Sequence, residues 1–195
     1  MISDTGTRSA RERLLAAADK LFYAEGIHVV GIDRVIEEAG VAKASLYACF
    51  GSKEGLIVAY IQGRLQRRQE RTNRALAQLS NPRDRLLAMF DVLDTFIHEP
   101  GFNGCAFMNA TAESPPESAV AEATRASRTW SRSLFTDLAR DVGVPDPQAL
   151  ARQLTILYDG ALVSSQMDHD LDAAQRAKTA AAALVDTACR RPRSR

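Results

Sequence analysis

Lys43, Ser45 and Tyr47 stand close together, and Lys53 follows a short way along the chain. Side chains of these types at this spacing suit gripping and reading a polyanion. The lysines are long cationic donors. A serine hydroxyl donates or accepts at a base edge or a phosphate, and a tyrosine packs its ring on a sugar–phosphate wall while its hydroxyl reaches a phosphate oxygen. Bond-making chemistry finds less support. His28, His98 and His169 lie far apart, and none belongs to a spaced metal motif. There is no G-x-S-x-G, no phosphate-binding glycine loop and no dinucleotide fingerprint. Asp168-His169-Asp170 reads as an exposed polar turn, and Cys49 as a small apolar filler. The expectation is a protein that is not an enzyme and needs no metal or cofactor.

The side chains at 43–53 must be positioned by the stretch Gly31 to Leu56, GIDRVIEEAGVAKASLYACFGSKEGL. Val35, Ile36 and Ala39 mark the apolar side of a first short helix. Gly40 can end that helix in the left-handed conformation without a Cβ penalty. Val41 and Ala42 turn the chain, and Lys43 to Phe50 can form further helical turns with Leu46 facing inward. This is the layout of a helix-turn-helix, whose second helix is short enough to lie in a major groove. Ser52 reads as the N-cap of the next helix, with Glu54 in its first turn. Lys53 sits where free amides and a cation together could hold one phosphate.

In these residues the sequence resembles the tetracycline-repressor (TetR) family of bacterial transcription regulators. The pattern is Gly26, Ile32–Val35, Ala39-Gly40-Val41, Leu46-Tyr47, Phe50, Lys53 and Leu56, within a stretch from about Arg8 to Gln62. Beyond it the likeness is one of length and helical pattern. Val30-Gly31 stands where family members often carry Ser or Thr, Ala42 where they often carry Ser, and Cys49 where they usually carry His or another aromatic residue. The resemblance implies contact with double-stranded operator DNA through Gly31, Lys43, Ser45, Tyr47 and Lys53. It also implies a homodimer on a near-palindromic site, a repressor role and release by a small-molecule effector.

The rest of the chain is read around that head. With 195 residues, 46% hydrophobic and 25% charged, it has the composition of an ordinary soluble globular protein. The formal net charge of +1 neither supports nor excludes nucleic acid, because a local patch outweighs the sum. Cys49, Cys105 and Cys189 are odd in number and widely spaced, and read as reduced thiols. No signal-peptide apolar region and no apolar run of membrane-spanning length is seen, so a cytoplasmic location is expected. Apolar periodicity and Pro/Gly breaks predict an all-α fold of about nine helices with no strands. The domains are a helix-turn-helix head at 1–52 and a helical regulatory and dimerisation part at 53–195. Residues 1–7 and the final RRPRSR read as loose tails.

In the second part, Leu150, Leu154, Leu157 and Ala161 form a stripe that needs a partner. The last helix carries Ala177, Ala181 and Leu184 among many small residues that permit close approach. In the resembled family the last two helices of each subunit form an intersubunit four-helix bundle, so these residues are the expected dimer interface. Phe90, Phe102, Cys105, Met108, Trp130 and Tyr158 are the expected lining of an effector site, with 101–115 a short irregular segment of looser packing. No charged residue stands inside an apolar stripe, so the expected effector is small and apolar. Arg64, Arg67, Arg68, Arg71 and Arg74 share one side of a long helix and read as a solvated face.

Overall fold

The structure, a computed structural model, describes residues 8–190. The tails expected at 1–7 and 191–195 lie outside the described residues. Within them the chain forms nine helices and no strand. These are α1 (Ala10–Glu25), α2 (Ile32–Ala39), α3 (Lys43–Phe50), α4 (Lys53–Leu76), α5 (Pro82–Ile97), α6 (Ala106–Ala112), α7 (Ala119–Val142), α8 (Pro147–Met167) and α9 (Ala173–Arg190).

Local chemistry sets many of the boundaries. Ser9 and Glu12 form a capping box, each satisfying a backbone N–H at the start of α1. The Ser9 backbone N–H, and then its hydroxyl, hold the Glu12 carboxyl below its ordinary range. Gly40 ends α2 at φ 60°, and its N–H returns to the α2 carbonyls. The Ser52 hydroxyl accepts from the Gly55 N–H at 3.0 Å and opens α4. Asn81 and Asp146 cap α5 and α8, each followed by proline in the first turn. α4 ends at Leu76, after which the chain tightens into turns through Leu79. Residues 101–115, expected to be irregular, contain α6. Ala106 and Ala110 are buried on one side of that short helix, and this burial stabilises it where the sequence pattern was too brief to register.

By its contacts the chain divides into two compact units. One runs up to Leu65 and includes Ala106–Thr124; the other comprises Gln66–Cys105 and the residues from Arg125 onward. The chain therefore passes between units three times, inside α4, at the start of α6 between Cys105 and Ala106, and inside α7. This division differs from the one drawn at residue 52, because Leu56, Ile57, Tyr60 and Ile61 of α4, with Ala106 and Ala110 of α6, join the core of the first unit. Leu14, Phe22, Val35 and Leu46 are buried in the same cluster.

In the second unit α5, α8 and α9 pack on one another. Phe90, Phe135 and Tyr158 form a triangle of ring contacts with centroids 5.8 to 6.2 Å apart. Of the residues expected at a dimer interface, Leu150, Leu154, Ala161, Ala177 and Ala181 are buried within the single chain, Leu154 at 0% exposure. Their small and apolar side chains serve packing inside the subunit, while Leu157 and Leu184 are half-buried. The apolar residues that α8 leaves outward are Ile156 (69% exposed), Val163 and Met167 (75%), with Gly160 between them.

The arginine side of α4 is also not uniformly solvated. In the first unit, Arg64 makes a two-pronged contact with Asp19 and lies 3.7 Å from the Tyr23 ring centre. In the second, Arg68 stands over Trp130 and Tyr158, and Arg71 stands over Phe96 while pairing with Glu99. Their long apolar stems and flat heads make arginines good covers for aromatic rings. Arg67 and Arg74 remain exposed.

Candidate nucleic-acid interface

α3 is held from behind. Leu46 is fully buried under it, and Arg11 lies 5.3 Å from the Phe50 ring centre. Arg13 donates to the Gly40 carbonyl at 3.0 Å, fixing the turn between α2 and α3. The ion pairs Lys20–Glu38 and Arg34–Glu25 tie α2 to α1. Such exposed pairs add little stability each, and their value here is orientation.

The outward face of α3 is Lys43, Ala44, Tyr47 and Ala48, all exposed. Ser45 is half-buried at its edge. Ala44 and Ala48 were not singled out from sequence, since alanine carries no polar signal. Their methyl groups keep the face shallow, so a helix backbone can approach a groove floor, and a methyl can meet a thymine methyl. Neither α2 nor α3 has a side-chain N-cap, since Gly31 and Ala42 occupy those positions. Gly31 is exposed, with open space where a Cβ would stand.

The lysines are not idle in the free protein. Lys43 Nζ donates to Asp33 Oδ1 at 2.8 Å. That hydrogen bond, and then the carboxylate's charge, raise the Lys43 pKa above its ordinary value, so the ammonium is fully charged near neutrality. Lys53 Nζ donates to the His28 carbonyl at 3.3 Å, while Glu113 at the end of α6 accepts from the His28 N–H at 2.8 Å. The turn before α2 is thus gripped from both sides. Gly55, in the first turn of α4, packs so close to the end of α3 that a methyl built on it would overlap the Phe50 carbonyl oxygen. Arg11, Arg13 and Glu113 were missed from sequence because they belong to no motif.

Of the expected effector residues, Met108 falls in the first unit and the other five in the second. Phe90 is fully buried in the ring triangle, Tyr158 and Cys105 are buried, and Phe102 stacks edge-on against Phe96. Met108 belongs to the first unit, where it is exposed on α6. Trp130 is half-buried beneath Arg68, whose Nη1 donates to the buried Ser127 hydroxyl at 3.3 Å. The Arg68 guanidinium therefore brings charge up to the Trp130 and Tyr158 rings. Arg71 Nε and Asp94 Oδ1 are buried without a hydrogen-bond partner in the same unit. No group of His, Cys, Asp or Glu able to hold a metal occurs among the described residues, and no described helix is long and apolar enough to cross a membrane.

A helix-turn-helix with an open reading face, followed by a larger helical unit, is the plan of a DNA-binding regulator. Residues 14–60 match the family model described as bacterial regulatory proteins, tetR family, and residues 82–181 match that of the tetracyclin repressor-like C-terminal domain. The chain belongs to the TetR family of helix-turn-helix transcriptional regulators. The crystal structure of a TetR-family regulator from Streptomyces coelicolor is similar over 92% of this chain and 96% of that one, at 35% identity and a TM-score of 0.87. The HTH-type transcriptional activator FasR of Mycolicibacterium smegmatis is 30% identical over 69% of this chain and 61% of its own length. The HTH-type transcriptional repressor NemR of Escherichia coli is 31% identical over 53% of each chain. The match thus spans about three fifths of the first of these curated relatives and about half of the second.

Proposed function

We propose that the protein is a cytoplasmic, one-component transcriptional repressor that binds a near-palindromic operator as a homodimer and leaves it on binding a small effector. The observation that carries the DNA reading is the exposed face of α3, with Lys43, Tyr47 and two alanines outward over the buried anchor Leu46. On this reading Tyr47, Lys53 and the exposed start of α2 at Gly31 hold phosphates. Lys43 and Ser45 read base edges, and Ala44 and Ala48 lie against the groove floor. The outward apolar stripe of α8 supports the dimer. Ile156, Val163 and Met167 recur at helical spacing, Gly160 leaves room for a neighbouring helix, and Ala180 and Ala183 of α9 are exposed. Arg68, Ser127, Trp130 and Tyr158 favour an effector with an apolar body and one polar end. Repression follows if the bound dimer blocks a promoter. The likeness to a relative named an activator favours the opposite sign as the second reading.

Selecting bound sites from a random duplex pool, followed by footprinting and a reporter assay, tests the whole. The expected result is a two-fold site whose half-sites lie about one helical turn or somewhat more apart, bound with strong salt dependence. Recovery of no preferred sequence would remove the DNA reading. A preferred sequence whose reporter rises with the protein would make it an activator.

A further inference from the structure

Asp33 and Lys43 form an ion pair between the first turn of α2 and the first turn of α3. Both are well exposed, Asp33 at 80% and Lys43 at 56% of the side chain. An exposed pair of this kind contributes little to folding. It does place a carboxylate on the side of the head that faces a polyanion. From this geometry we infer that Asp33 is a specificity-determining residue, which holds Lys43 back from phosphates in general and aims it at one base step. The inference rests on the reading that Lys43 faces DNA.

The reasoning is electrostatic. On an arbitrary duplex Lys43 has only phosphate attraction to gain. A phosphate drawn to Lys43 also comes close to the Asp33 carboxylate, and the two anions repel, whereas a base edge carries no net charge. On the right base step the two demands agree. An ammonium has three donors, so Lys43 can keep one on Asp33 and present another to the purine acceptors of the major groove. The carboxylate then fixes the direction of a flexible side chain. Asp33 thereby weakens the non-specific mode more than the specific one, which widens the ratio on which site selection depends.

The test uses the full-length protein, the selected operator and a scrambled duplex of the same length, titrated over a salt series. Asp33→Asn removes the charge at nearly constant shape, and Asp33→Ser is a second variant for the case that the first melts abnormally. Either should tighten binding to the scrambled duplex about tenfold while moving operator affinity by less than about twofold. The salt slope on the scrambled duplex should steepen by about 0.9, the value for one further neutralised phosphate. Repeating the substitution in a Lys43→Gln background isolates the mechanism, and there the effect of Asp33→Asn should vanish. An equal effect in both backgrounds would overturn the inference, since Asp33 would then act as a general surface charge. An unchanged operator-to-scrambled ratio would overturn it as well. If Lys43→Gln binds both duplexes as the parent does, the reading of α3 itself falls and the inference with it. If Lys43→Gln weakens binding and Asp33→Asn does nothing, only the inference falls.

Discussion

The exposed faces of α3 and α8 differ in kind. α3 presents a cation, a phenol and two methyl groups, and its one large aliphatic side chain, Leu46, is buried. α8 presents Ile156, Val163 and Met167 to the outside. Its unit keeps two guanidiniums over aromatic rings, Arg68 over Trp130 and Tyr158 and Arg71 over Phe96. A polar face of small side chains suits a rigid, highly charged groove. A run of exposed aliphatic groups around a glycine suits another apolar surface. One family fold thus carries two surfaces of opposite polarity, and the residues behind each surface are chosen accordingly.

Substitutions can break this contrast, and the largest effect is expected on α8. Leu154→Arg puts a charge into a fully buried position and should cost several kcal/mol, unfolding the subunit in a thermal melt. Ile156→Arg lies on the same helix but outward. It should leave the melt nearly unchanged and dissociate the proposed dimer in sedimentation. Should the Ile156 variant stay dimeric, the outward stripe is not the interface. Next comes the head. Leu46→Ala should cost about 2–5 kcal/mol and abolish DNA binding, because the anchor of α3 is removed. A variant that melts and binds normally would mean that the Arg11–Phe50 contact and the Lys43–Asp33 pair hold α3 instead.

Smaller effects sharpen the comparison. Lys43→Ala should lose about 1–3 kcal/mol at one base step and relax preference there. Tyr47→Ala should weaken binding on all sequences alike, so a panel of single-base operator variants separates the two roles. The smallest effect is at the acid end. Arg83 holds the Asp186 carboxyl below its usual range through their hydrogen bonds. That stabilisation is full above the ordinary carboxylate pKa of about 4 and is lost as pH falls through the lowered folded value. Asp186→Asn should therefore show a flatter fall of Tm with acidification, measured below about pH 4.

Much of the head was legible because its signals are local. Gly40 needs its left-handed turn, Ser52 caps within three residues, and Leu46 stands alone among small or polar neighbours. The second unit hid its surfaces because a helix with apolar residues on several sides does not declare which side faces inward. Leu150, Leu154 and Ala161 against Ile156, Val163 and Met167 is such a case, and only the packing of α5 and α9 decides it. The arginines of α4 misled for a related reason. Their charge suggests solvent, but the rings they cover lie far along the chain, at Phe96, Trp130 and Tyr158. Glu113 reaches His28 across a similar distance in sequence, beyond any periodicity.

The contact between Gly55 and the Phe50 carbonyl also sets how freely the sequence can drift. In a library covering every residue of the head, position 55 should tolerate no other amino acid, since even alanine needs backbone to move. Position 31 has open space around it and should accept alanine. Functional variants of this regulator would then diverge in what they read through positions 43 to 48. The junction from which α4 departs would stay the same in all of them.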